Sequence, residues 1–184
     1  MVKEFWDFDE NINYVNINVN GNNFKVLNVY KNYNEAAGLL NLIHNIIISM
    51  CLYLQINFYK YTNEEQIAIK CFLNIHPNRY LLSEMQLGTD FNGINKPRNI
   101  RNNNKNELLG KDKRKRAEYR HVFLTLRKHN GSFKSFDSIM RLVIHEIAHT
   151  MCNHVTWRDD DHNEDFQHYE ALLNDVYKKC LKNI

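Results

Sequence analysis

The segment that most constrains this 184-residue chain runs from Asp137 to Met151, where apolar residues recur at steps of three and four. This spacing predicts a helix that is buried along one side, and Ser135 or Asp137 can cap its start. The pentapeptide H-E-I-A-H occupies positions 145 to 149 of the segment. Four residues turn a helix by about 400°, so the two histidines lie on one face, one turn apart. The fold must therefore bury most of this helix and leave that face accessible.

Two imidazoles one turn apart can hold a single metal ion. Neutral imidazole suits zinc, and a catalytic zinc keeps three protein ligands and one position for water. Glu146 follows His145 directly, where its carboxylate can take a proton from that water. The pattern predicts hydrolysis of a peptide bond at a zinc site, with Glu146 as the general base.

The downstream sequence offers several third ligands. His162 follows a polar segment, residues 156–161, which is predicted to be a loop that returns the chain toward the metal. His154 would lie about 180° away from His145 if the first helix continued. Glu164, His168 and Glu170 remain possible ligands at the start of a second amphipathic helix. The apolar face of that helix is predicted to contain Phe166, Tyr169, Leu173, Val176, Tyr177 and Cys180.

The order of these motifs resembles the WLM and SprT-like zinc metalloproteases. The resemblance is carried by H-E-x-x-H followed by H-x-x-x-F, at His162 and Phe166, and covers roughly residues 80 to 182. A strand-like segment at 122–127 and the turn from Phe133 to Phe136 precede the motif. The resemblance implies an α+β fold, a small zincin-like metalloprotease domain in which a few-stranded mixed sheet packs on helices. It also implies that zinc is bound by His145, His149 and His162.

Characterised members of that group cleave proteins crosslinked to DNA, so the resemblance implies DNA-associated protein substrates and a role in DNA repair. A protease of this kind needs a basic patch, and the net charge of +3 makes any such patch local. The other hypothesis is a DNA-binding or interaction module with a structural zinc site. Both hypotheses assign possible DNA contacts to the densest basic run, at Lys111, Lys113, Arg114, Lys115 and Arg116.

The length favours one domain over residues 1–184. Its N-terminal strands and helices are predicted within 1–79, and the WLM/SprT-like catalytic part within 80–184. Strands at 14–19 and 24–30 are expected around an Asn20-Gly21 turn, followed by helices at about 34–55 and 63–73 and a strand at 80–87. The Gly- and Pro-containing segment 91–98 is predicted to be a loop or turn, either a plain connector or a loop that borders the substrate cleft.

Several features favour an intracellular protein, cytoplasmic or nuclear. The four cysteines are scattered, and the N-terminus lacks a basic region followed by an apolar one. The apolar stretch 39–56 contains Asn41 and His44, which favours a core helix over a membrane span, with His44 as a satisfied polar residue. The 28 asparagines are typical of an AT-rich genome, such as that of a large DNA virus or a protist, so a viral protein is one of two interpretations.

Overall fold

A mixed sheet lies at the centre of the computed structural model, which describes residues 14–74, 80–86, 92–98, 119–152 and 162–182. In these ranges the sheet has five strands in the order β1-β2-β3-β5-β4, so the predicted α+β class with a mixed sheet is confirmed. The elements in chain order are β1 (Tyr14–Val19), β2 (Asn22–Leu27), α1 (Tyr33–Ile56), a 3-10 turn (Phe58–Lys60), α2 (Asn63–Leu73), β3 (Tyr80–Glu84), β4 (Gly93–Arg98), β5 (Tyr119–Leu124), α3 (Phe136–Met151) and α4 (Glu164–Leu181).

The first two strands form the predicted hairpin. Asn20 and Gly21 have φ values of 52° and 85°, the left-handed conformations that a two-residue type I′ turn requires. The strands pair antiparallel with Tyr14 opposite Leu27. The second strand ends at Leu27, before the predicted Tyr30, because the chain turns there into α1.

The prediction of a loop or turn at 91–98 is wrong for residues 93–98. These residues form β4, which pairs antiparallel with β5 over its whole length. Pro97 lacks a backbone N–H, but an edge strand has one side that needs no partner and therefore tolerates proline. Pairing with β5 has thus overridden the local turn preference of Gly93 and Pro97.

The long helix α1 lies against the sheet and supplies much of the core. Its bounds, Tyr33–Ile56, agree with the predicted helix, and its buried side includes Leu40, Ile43, Ile47 and Met50. By length and composition α1 could cross a membrane, but 56% of its most apolar window is buried inside the domain. This burial is typical of the core helix of a soluble domain, as the polar residues of the segment predicted.

A buried ion pair ties the sheet to the start of α1. Glu84 at the end of β3 accepts from Arg127 Nε at 2.6 Å and from the Leu27 backbone N–H at 2.9 Å. Arg127 also donates to Asn32 Oδ1 at 2.7 Å, and its guanidinium lies over the Tyr30 ring. Both charged side chains are at most 1% exposed. The pair therefore fixes the carboxyl ends of β2 and β3 relative to α1.

Helices α3 and α4 pack together beside the sheet. Ser135, one of the two predicted caps, caps α3 by accepting from the Ser138 backbone N–H. Asn163 caps α4 by accepting from the Phe166 N–H at 3.0 Å. The buried residues of α4 are Phe166, Leu173, Val176 and Cys180, which all belong to the face predicted from the sequence. The cap at Asn163 sets the position from which α4 faces the histidines of α3.

Candidate metal centre and adjoining cleft

Two histidines on α3 and one just before α4 converge beside the sheet. His145 and His149 project from α3, and His162 lies two residues before α4. One ring nitrogen of each lies within 4.8 Å of the corresponding nitrogens of the other two. His149 is 9% exposed, whereas His162 is exposed. The predicted ligands are thus brought together, and the group could hold a metal ion.

The separation of two ring nitrogens fits a tetrahedral ion. His145 Nε2 and His162 Nε2 are 3.2 Å apart. Two nitrogens bound to zinc at 2.0–2.1 Å with tetrahedral angles would be about 3.3 Å apart. The donor set of three imidazoles is also what a zinc site with an open coordination position uses. The residues present therefore fit zinc.

Glu170 holds one of these histidines in a defined orientation. Its Oε1 lies 3.1 Å from His145 Nδ1, on the opposite side of the ring from the nitrogen that faces His162. An Nδ1–H that donates to this carboxylate leaves Nε2 with its lone pair directed toward the other histidines. Glu170 therefore selects the tautomer of His145 that can bind a metal. Glu170 was also a candidate ligand, but its carboxylate contacts Nδ1 and not the side of the ring that faces the other histidines.

The ring of Phe166 lies against the rings of all three histidines. Its ring centroid lies 5.0 Å from that of His145, 4.7 Å from that of His149 and 4.6 Å from that of His162. Phe166 is only 1% exposed, so it is fixed in the core between α3 and α4. The phenylalanine of the H-x-x-x-F pattern thus restricts the rotation of the three rings.

Glu146 lies between the histidine cluster and the edge strand β4. Its side chain is buried at 4% exposure and faces Gly93. A Cβ at Gly93 would overlap Glu146 Oε1 and lie 2.8 Å from Leu142 Cδ1, so only glycine leaves room for this carboxylate. Asn95 anchors the same strand to α3, because its amide donates to Glu146 O and, at 2.9 Å, to Thr150 Oγ1. Sequence reasoning missed Gly93 and Asn95, because it placed both in a loop.

Other candidates from the sequence are separate from this cluster or outside the described residues. His168 is exposed and contacts Glu65 at 3.0 Å, and Glu164 is exposed in the first turn of α4. Neither belongs to the converging group found within the described ranges. His154, the loop at 156–161 and the basic run at 111–116 lie outside the residues that the structure describes.

A cleft of about 830 Å³ opens beside the histidines. It follows α3 from the cap residue Ser135 to Glu146, with the start of β4 at Asn92 and Gly93 on its border. Its charged lining residues are the carboxylates of Glu146 and Glu170 and the cations Lys128, Lys134 and Arg141. The candidate base and one candidate ligand therefore both line this cleft.

Comparison of the chain with protein-family models, with characterised proteins and with solved structures finds no match. The geometry of the site is therefore the main basis for a functional proposal.

Proposed function

We propose that this protein is a zinc-dependent endopeptidase. The observation that carries the proposal is the convergence of His145, His149 and His162 next to a cleft that Glu146 lines. A purely structural zinc site is closed by a fourth protein ligand and has no use for a carboxylate beside it. Within the described ranges the converging group contains three ligands, which is the number that a catalytic zinc uses.

The edge of the sheet supplies a place for an extended substrate. Among the described strands, β4 is the last in the sheet, and Gly93 at its start borders the cleft. An extended peptide can pair with the free side of an edge strand through backbone hydrogen bonds. A peptide bound in this way would pass beside Glu146 and the histidine cluster.

The residues of this chain have distinct roles in the proposed reaction. When bound, zinc would lower the pKa of a water molecule toward ~7 and polarise the peptide carbonyl. Glu146 accepts one proton from the water, whose oxygen bonds to the carbonyl carbon. Glu146 then gives the proton to the leaving nitrogen as the C–N bond breaks, so water is divided between the two products. His145, oriented by Glu170, helps to hold the metal beside this carboxylate.

Substitution of the base tests the proposal. Glu146→Gln keeps the shape of the side chain but cannot accept the proton, so cleavage of an unstructured protein should fall by about 100-fold or more. The zinc content should stay near that of the wild type, because the three histidines remain. Full activity of Glu146→Gln, or cleavage that resists a chelator in the wild type, would contradict the proposal.

The resemblance and the basic run Lys111–Arg116 extend this proposal to protein substrates bound or crosslinked to DNA. Addition of duplex DNA to the same assay tests the extension. Faster cleavage of a DNA-bound protein than of the free protein would support it, and equal rates would limit the proposal to general proteolysis.

A further inference from the structure

Two of the cations that line the cleft precede the histidines along α3. Arg141 lies one turn before His145, and Lys134 lies just before the cap residue Ser135. Lys128 is the third cation of the lining, and its carboxylates are Glu146 and Glu170, of which Glu170 contacts His145. Ser135 and Ser138, which lie between Lys134 and Arg141 in the sequence, are neutral.

The three cations have no acidic partner within the described ranges of the chain. Lys134 Nζ donates to the amide oxygen of Asn92 at 3.0 Å, which leaves its charge unneutralised. Partial burial lowers the pKa of Lys134, since its charged form loses contact with water. An anionic group brought into the cleft would compensate for this loss.

Arg141 and Lys134 lie on the same side of the histidines along α3, at distances that an extended peptide can span. Arg141 precedes His145 by one turn of α3, about 6 Å along the helix axis. An extended chain advances about 3.3 Å per residue, so this distance corresponds to about two peptide residues. Lys134 lies immediately before the cap residue Ser135, farther from the histidines in the same direction.

We infer that the cleft selects peptide segments with acidic side chains on one side of the scissile bond. This inference rests on the proposed endopeptidase function and specifies its substrate class. Among the described residues, no cation lines the cleft beyond His145 along α3, so acidic side chains on the other side of the scissile bond would have no such partner. A nucleic-acid backbone is the other anion that three cations could bind. A peptide fits the cleft better, because Glu146, the proposed base for peptide hydrolysis, lines the same cleft.

Binding and cleavage can be measured separately with one set of peptides. The set has a common neutral centre, with two glutamates or two lysines placed before or after it. Affinity is measured with the zinc-supplemented Glu146→Gln protein, and kcat/KM with the wild type. One exposed ion pair is worth about a 1.4- to 5-fold effect, so glutamates on the favoured side should improve binding by about 3- to 20-fold over lysines. The preference should shrink in high salt.

Charge reversal connects the preference to the cleft. The double variant Lys134→Glu and Arg141→Glu should lose the preference for glutamate or reverse it. Lys178→Glu is the matched control, because Lys178 is exposed on α4 and does not line the cleft. The control should bind the peptides as the parent protein does.

The outcomes distinguish the two proposals. Selective binding of acidic peptides without cleavage by the wild type would support the inference and contradict the endopeptidase. Cleavage and binding that ignore peptide charge would overturn the inference and leave the endopeptidase standing. Loss of DNA affinity in the double variant, with no effect of peptide charge, would also overturn it, since the cations would then bind a nucleic acid. An equal preference for glutamates before and after the neutral centre of the peptide would contradict the inference that acidic side chains bind on one side of the scissile bond.

Discussion

Two clusters of polar side chains in this protein contrast in where their groups are directed. Around Glu84 and Arg127 the charged groups are at most 1% exposed and bind each other or nearby backbone and amide groups. Arg127 Nη2 has no hydrogen-bond partner among the described residues, and the guanidinium lies over the rings of Tyr30 and Phe133. Around His145 the ring nitrogens face one another at the border of a cleft, and their side chains range from buried to exposed. The first cluster is directed inward and holds elements together. The second is directed at a common point that a ligand can occupy.

The contrast reflects the elements that carry the two clusters. Glu84 and Arg127 join the end of β3 to the segment after β5, near the start of α1. The histidines lie on α3 and just before α4, and Phe166 fills the space beneath them. A cluster that joins several elements contributes to folding, whereas one that lies at a helix pair beside a cleft can be changed with less effect on the fold. Two substitutions separate these contributions.

The largest expected effect on stability comes from breaking the buried ion pair. Arg127→Met leaves the carboxylate of Glu84 buried without its cation, which should lower the free energy of unfolding by about 3–5 kcal/mol near neutral pH. Chemical denaturation measures this loss. The zinc content of the molecules that remain folded should be unchanged, because no histidine of the cluster contacts Arg127 among the described residues. If Arg127→Met lost zinc but kept the stability of the wild type, the two clusters would not make the separate contributions described here.

The pH dependence of this variant has a defined sign. Burial raises the pKa of Glu84, and the bonds from the Leu27 N–H and Arg127 partly oppose this rise. Without Arg127 the pKa should rise further. A raised folded-state pKa means that protonation favours the folded state, so the stability lost at neutral pH should be regained as the pH falls through that value. A deficit that grows on acidification would contradict this account of Glu84.

A smaller effect is expected from Glu170→Gln, which acts on the metal cluster alone. The glutamine can still contact His145 Nδ1 but lacks the negative charge that holds the Nδ1–H and orients the ring. Loss of such a partner typically weakens metal binding by about 10- to 100-fold. Competition with a chelator of known affinity measures the change, and Glu170→Asp should recover part of it. A wild-type zinc affinity in Glu170→Gln would show that His145 is held by packing alone.

Much of the histidine cluster was predictable from the sequence, because the spacing of residues within one helix determines most of its geometry. The spacing of His145 and His149 is fixed by helix geometry, and the apolar periodicities predicted α3 and α4 with nearly their observed bounds. The third ligand required the turn between the helices, which the residues alone left open between His162 and other candidates. The family resemblance, and not the spacing, selected His162.

The border of the cleft was not predictable in the same way. Gly93 and Pro97 favour a turn locally, yet pairing with β5 places them in a strand. No pattern within either segment indicates that Gly93 would face Glu146. The role of Glu170 depends on which side of the His145 ring its carboxylate reaches, since Oε1 lies 3.1 Å from Nδ1 whereas Nε2 faces His162. Such differences arise from the packing of α4 on α3 and have no separate sequence signal.

The most direct test of the central claim is the metal site itself. Purified protein supplemented with zinc should bind about one ion per chain, and X-ray absorption should show three imidazole nitrogens at about 2.0–2.1 Å and one oxygen. His149→Ala should lose this ion, whereas His168→Ala, which changes a histidine outside the cluster, should retain it. Equal zinc binding by His149→Ala and the wild type, or a spectrum with sulfur ligands, would contradict the account.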